Sequence, residues 1–240
     1  MAITKVDKTL LEATGTADAT TFLRGDGSWA SAAAGFSGVH HTTASSSTYT
    51  VPAGITKLLV FITGGGGSGG SGSGAYNGSG GGGATTVIAH VTVVPTDTIT
   101  IAIGAGASGS ASSADGTAGG DSTFTHASGS GTFDTITAPG GTAGVFGLSP
   151  ATSAPTAGTV GSSNDGISIL GGYQGSFGTG PAGFGGATFW GGGGMPATPS
   201  YQVSSAGTAY GSGGGGGSST TSYFASAAGA DGICFIMEFK

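Results

Sequence analysis

The 240-residue chain contains 55 glycines, about 23% of its residues against a usual ~7%, and only 7% of its residues are charged. That composition suits neither an ordinary enzyme nor a highly charged disordered chain, and the length allows one domain of fair size plus a short appendage. The net charge of −6 lies in the larger part, because no Lys or Arg occurs from Leu58 to Phe239; this argues against nucleic acid or an anionic membrane surface as partner, since both need clustered cations.

In chain order, residues 1–36 form a first block, read as an attachment or trimerisation segment, and charges balance over residues 1–57. It is too short for a core of its own, so Phe22, Leu23 and Trp29 need a partner surface, which three copies of the chain can give one another. Residues 31–35 read as a linker, and 37–240 as one glycine-rich β domain.

The strand signals of that domain begin with Ser47–Thr50, which runs into the turn Pro52-Ala53-Gly54. Lys57–Thr63 is apolar on both faces and predicts a strand buried on both sides. A glycine tract over 64–83 separates it from a second buried strand, Thr85–Val94. Thr98–Ile103 alternates, with Ile99, Ile101 and Ile103 on one face. Shorter strands are predicted at Ser122–His126 and Phe133–Thr137. The last strand covers Gly232–Lys240, with Phe235 and Met237 on one side and Cys234 and Ile236 on the other. No amphipathic helix of ten residues is visible. The fold class expected is all-β, a β-sandwich or jelly roll.

Residues 138–230 are too long for an ordinary loop. Gly172, Gly175 and Gly178 fall three apart, as do Gly180, Gly183 and Gly186. That period fits polyproline-II-like glycine segments, which have three residues per turn and bond only to neighbours. Aromatic residues punctuate the region, which a flexible linker does not need.

Two segments carry a family resemblance. Thr21-Phe22-Leu23-Arg24-Gly25-Asp26-Gly27-Ser28-Trp29-Ala30 resembles an element that recurs in bacteriophage tail fibres. Tyr49–Leu58 followed by Gly64–Gly67 is similar to the opening of the glycine-rich domain of such fibres. Gly80–Ala84, Gly119-Gly120-Asp121-Ser122 and Gly229-Ala230-Asp231-Gly232 match its later elements in order. The resemblance implies a virion location, synthesis in the host cytoplasm, a homotrimer, and attachment through the N-terminus to tail or baseplate proteins. It also implies binding to a bacterial surface polysaccharide or outer-membrane protein. A purely structural appendage, such as a head fibre, spacer or baseplate decoration, is the rival expectation.

Candidate residues follow from these readings. Phe22, Leu23, Arg24, Asp26 and Trp29 are candidates for virion attachment or trimer contact, with Arg24-Gly25-Asp26 as a tight turn. Phe184, Phe189, Trp190, Tyr201 and Tyr210 are candidates for receptor contact, because rings give large contact area at small entropic cost. The competing reading makes them plugs between glycine segments. His40 and His41 are adjacent, so in a strand they point to opposite faces and cannot chelate together within one chain. Asp115, Asp121 and Asp231 are expected to bond their own turns. The lone Cys234 reads as a small buried hydrophobe. No catalytic residue, metal, cofactor or membrane-inserting segment is expected.

Overall fold

The computed structural model describes residues 21–23, 29–31, 35–72, 77–111, 113–147, 158–162, 164–172, 182–198, 203–218 and 224–240. The architecture is all-β, and no helix occurs among the described residues. The strands are β1 (Thr21–Leu23), β2 (Trp29–Ser31), β3 (Phe36–Thr42), β4 (Ser46–Thr50), β5 (Lys57–Thr63), β6 (Thr86–Thr92), β7 (Thr98–Ala102), β8 (Ser122–Ser128), β9 (Ile136–Ala138), β10 (Asp165–Ile169) and β11 (Ile233–Phe239). β1 and β2 pair with each other. The others form two antiparallel sheets, ordered β10-β6-β5-β11-β3 and β4-β7-β8-β9.

Alternation explains how the sheets meet. Leu58, Val60 and Ile62 of β5, Val87, Ala89 and Val91 of β6, and Cys234 and Ile236 of β11 point inward. They share one core with Tyr49, Ile99, Ile101, Phe124 and Ile136 of the four-stranded sheet. Burial raises the pKa of the Cys234 thiol, and the side chain acts as packing. The Pro52-Ala53-Gly54 turn forms as expected, with Gly54 at φ 81° and the Ile55 N–H donating to the Pro52 carbonyl.

Three sequence expectations change. β3 and β10 add two strands that the sequence pattern does not announce. Both are edge strands carrying glycine and few buried apolar residues, so each is recruited by a single neighbour rather than by its own pattern. β5 is buried on one face only, and Leu59 and Phe61 on its outer face are half-buried.

A second organising pattern begins where the strands end. From Gly64, successive N–H groups bond different neighbours and every third returns to the same one. Gly65, Ser68 and Ser71 donate to the carbonyls of Gly120, Thr117 and Ala114; Gly66, Gly69 and Gly72 to those of Ala230, Ala227 and Phe224; Gly67 and Gly70 to those of Gly82 and Ser79. The same segment accepts bonds from Ala107, from Gly141 and Gly144, and from Gly214 and Gly217. Residues 64–72 are thus enclosed by six other segments. Residues 211–218 are enclosed likewise, exchanging bonds with 67–70, 78–84, 183–186, 194–197, 205 and 227–231.

Glycine is required by this closeness rather than by backbone handedness. A Cβ on Gly66 would lie inside the van der Waals shell of the Ser212 carbonyl oxygen, and one on Gly213 inside that of Gly81. Some of the few side chains admitted here are serines that bond an adjacent segment. Ser68 Oγ accepts from the Thr117 N–H at 2.9 Å, and Ser79 Oγ from that of Val145 at 2.7 Å.

Candidate functional site

The glycine segments are continuations of the strands. β5 runs out into 64–72, β7 into 103–110, β9 into 139–146, and β10 into 170–172; β6, β8 and β11 are entered from 78–85, 114–121 and 224–232. Extended chain of this kind advances about 3.1 Å per residue, so their far ends stand roughly 25 Å from the sheets. Gly72, Asn77, Ala111, Ser113, Thr198, Val203, Ser218 and Phe224 stand at that far end. Val145–Gly147 and Ala182–Phe184 lie there too, since Ser79 donates to the Val145 carbonyl and Gly183 to that of Gly78.

Acidic side chains tie this scaffold together. Asp115, Asp121 and Asp231 do not bond their own turns; each reaches across to another segment. Asp121 accepts from the Gly140 N–H at 2.9 Å, Asp231 from that of Gly106 at 2.8 Å, and Asp115 from that of Phe146 at 2.6 Å. An edge segment has amides facing outward without a carbonyl opposite, and a short carboxylate supplies the missing acceptor. Asp97 does the same for the sheets, accepting from Val94, Ser130 and Gly131. Burial alone would raise the pKa of its carboxyl. Those backbone donors and the nearby His126 outweigh that and hold it below the usual carboxylate range.

The predicted contact residues separate into two groups. Phe184 is at the far end and 56% exposed. Phe189, Trp190 and Tyr210 are at the base, against the five-stranded sheet. The Trp190 Nε1–H donates to Thr63 Oγ1 at 2.8 Å, and Phe189 packs on Phe61 with ring centroids 6.1 Å apart. Tyr210 stands edge-on to Trp190. Tyr201 lies outside the described residues, but its flanks, Met195 at 65% and Val203 at 82% exposure, line a cavity of about 330 Å³ with Pro196, Thr198 and Ser205. Sequence reasoning missed Met195 and Val203, because isolated apolar residues among glycines carry no periodicity.

In the N-terminal block, Phe22 pairs with Ala30 and Leu23 with Trp29 across β1 and β2; Arg24 and Asp26, in the connection, lie outside the described residues. His40 packs on Tyr49, centroids 5.2 Å apart, while His41 lies exposed in register with Phe235 on the other face. Burial, with the bond to Glu238, raises the pKa of the Tyr49 phenol, which donates to Glu238 Oε1 at 2.7 Å. Among the described residues no three His, Cys, Asp or Glu side chains converge as a metal site, and no helix is long and apolar enough to cross a membrane.

The model of the glycine-rich domain matches residues 42–237, from the last residue of β3 to Met237 within β11. The chain belongs to this glycine-rich domain family. No curated protein matches the sequence significantly. The family boundary encloses the interlocked glycine segments and the two larger sheets apart from β3 and the end of β11, so segments and sheets are parts of one unit.

Proposed function

We propose that the protein is a non-enzymatic phage tail-fibre or tail-tip adhesin, homotrimeric, attached to the virion through residues 1–36. It would bind a bacterial surface polysaccharide or outer-membrane protein with its glycine-rich domain. The base reads as a β-sandwich, and the glycine segments as a polyglycine-II-like bundle with three residues per turn. The observation that carries the reading is the clustering of segment ends, among them Gly72, Asn77, Thr198, Val203 and Ser218, at the far end of that bundle, about 25 Å from the sheets. Backbone bonding fixes the segments from all sides, so loops of varied sequence can be presented on a scaffold that hardly depends on them. Phe184, Met195 and Val203 supply apolar contact area there with no positive charge. The resemblance of Thr21–Ala30 to a tail-fibre element supports the virion end of the proposal.

The test is adsorption. Labelled full-length protein should bind cells of a susceptible strain and block phage adsorption, and replacing Phe184, Met195 and Val203 by Asp should abolish both while the melting curve is kept. Full competition by that variant would refute the assignment to the far end. The structural-appendage reading draws on the base placement of Phe189, Trp190 and Tyr210, which makes these aromatics part of the framework. It predicts no cell binding by the wild-type protein.

A further inference from the structure

The outer face of the five-stranded sheet is apolar at its centre, with Lys57, His90, Asp165 and His41 on the same side around it. β11 contributes Phe235, Met237 and Phe239, β5 contributes Leu59 and Phe61, and β6 contributes Ile88. On the flanks stand Phe36 and Val39 of β3, 58% and 48% exposed, and Ile167 of β10, 61% exposed. Phe189 and Trp190 reach over one end and leave a cavity of about 220 Å³ lined only by Phe61, Phe189, Trp190, Phe235 and Met237. The indole N–H of Trp190 is already given to Thr63, so the cavity offers a ligand no polar handle and suits an aliphatic or aromatic side chain rather than a sugar.

We propose that this face is the surface on which copies of the chain pack against one another. Five strands spaced ~4.8 Å apart, four of seven residues and β10 of five, present a footprint on the order of 400–500 Å². That is more than half of the ~800 Å² each partner buries in a stable complex. The N-terminal block enters the domain at Gly35, beside the edge strand β3 of this sheet. Gly35 precedes β3, its carbonyl accepts the Lys240 N–H, and Phe36 packs edge-on to Phe239. A trimer held there at high effective concentration needs only a modest additional surface. In a trimer the contact is heterologous, so that one flank, with Phe36 and Val39, meets the other, with Ile167, on the next copy. The sequence agrees over the middle of the sheet, because Leu58–Ile62 of β5 and Ile233–Met237 of β11 are apolar on both faces.

The inference rests on the homotrimer part of the proposed function, not on adhesion. Light-scattering mass of the full-length protein over a dilution series tests it. The wild type should have three times the 22.3 kDa chain mass. V39D/I167D, altered only at exposed positions, should keep its circular dichroism spectrum but dissociate at a concentration about 100-fold higher, because burying unpaired carboxylates in an apolar contact is costly. V203D, at the other end of the molecule, should match the wild type. A V39D/I167D midpoint equal to the wild type overturns the face while leaving the trimer intact. A monomeric wild type at tens of micromolar overturns both and leaves adhesion to be judged by cell binding.

Discussion

Gly66→Ala should be among the most damaging single-methyl additions in this protein. Gly66 is buried and has no left-handed backbone, so its φ and ψ suit alanine. In open space the change would stabilise the fold by ~0.4–1 kcal/mol, by narrowing the unfolded ensemble. Here the new methyl would meet the Ser212 carbonyl group, which is backbone and cannot rotate away. Segments 64–72 and 211–218 must part. That strains the Gly66 N–H bond to Ala230 at 2.8 Å, the Ala107 N–H bond to Gly66 at 2.9 Å and the Ala230 N–H bond to Ser212 at 2.9 Å. At ~1 kcal/mol net for each bond the loss is about 3 kcal/mol, or about 2–3 kcal/mol after the entropic gain. For a chain of this size that lowers Tm by roughly 4–12 °C. Gly192→Ala is the matched control, since Gly192 is exposed with nothing within 4 Å of its would-be Cβ, and it should be neutral or slightly stabilising. Urea unfolding of both variants measures the difference. Equal stabilities for Gly66→Ala and Gly192→Ala would show that the segments are not in backbone contact, and the scaffold argument would fall.

Other consequences can be checked on the same protein. Trp190→Phe removes the donor to Thr63 and should cost about 1 kcal/mol in urea unfolding while leaving cell binding unchanged; lost binding with unchanged stability would return Trp190 to the receptor site. Asp97→Ala leaves the buried amides of Val94, Ser130 and Gly131 without their acceptor and should cost about 2–3 kcal/mol. The folded-state pKa of Asp97 lies below its unfolded value. Its contribution to stability is therefore fully present above the ordinary carboxylate pKa near 4, and is lost as pH falls through the lower folded value. The wild type should thus lose stability more steeply than Asp97→Asn on acidification below about pH 4, and parallel curves would refute the assignment. Asp121→Ala, at an exposed clamp, should cost only about 1 kcal/mol, read by the same denaturant series.

Much of the fold was legible because strands announce themselves through side chains. The alternation of Ile99, Ile101 and Ile103, and the inward pair Cys234 and Ile236, required nothing beyond period-two geometry. The charge boundary at Leu58 and the serine and aspartate positions among the glycines were equally plain. β3 and β10 were not, because an edge strand is selected by its neighbour's free backbone groups and its own side chains say little. The candidate site divided for the same reason. Phe184 and Phe189 are five residues apart in similar glycine-rich surroundings, yet one is at the far end and the other against Phe61.

The order of residues is enough to make this protein all-β, free of Lys and Arg along most of its length, and rich enough in glycine for backbones to approach one another. Which backbones do so is settled only in three dimensions: there 64–72 and 211–218 become the enclosed segments, and Asp115, Asp121 and Asp231 bond across to neighbours. A glycine carries no side chain that could specify a partner. Its partners are therefore chosen by the strands that feed each segment into the bundle, and by the hydrogen bonds available once they arrive.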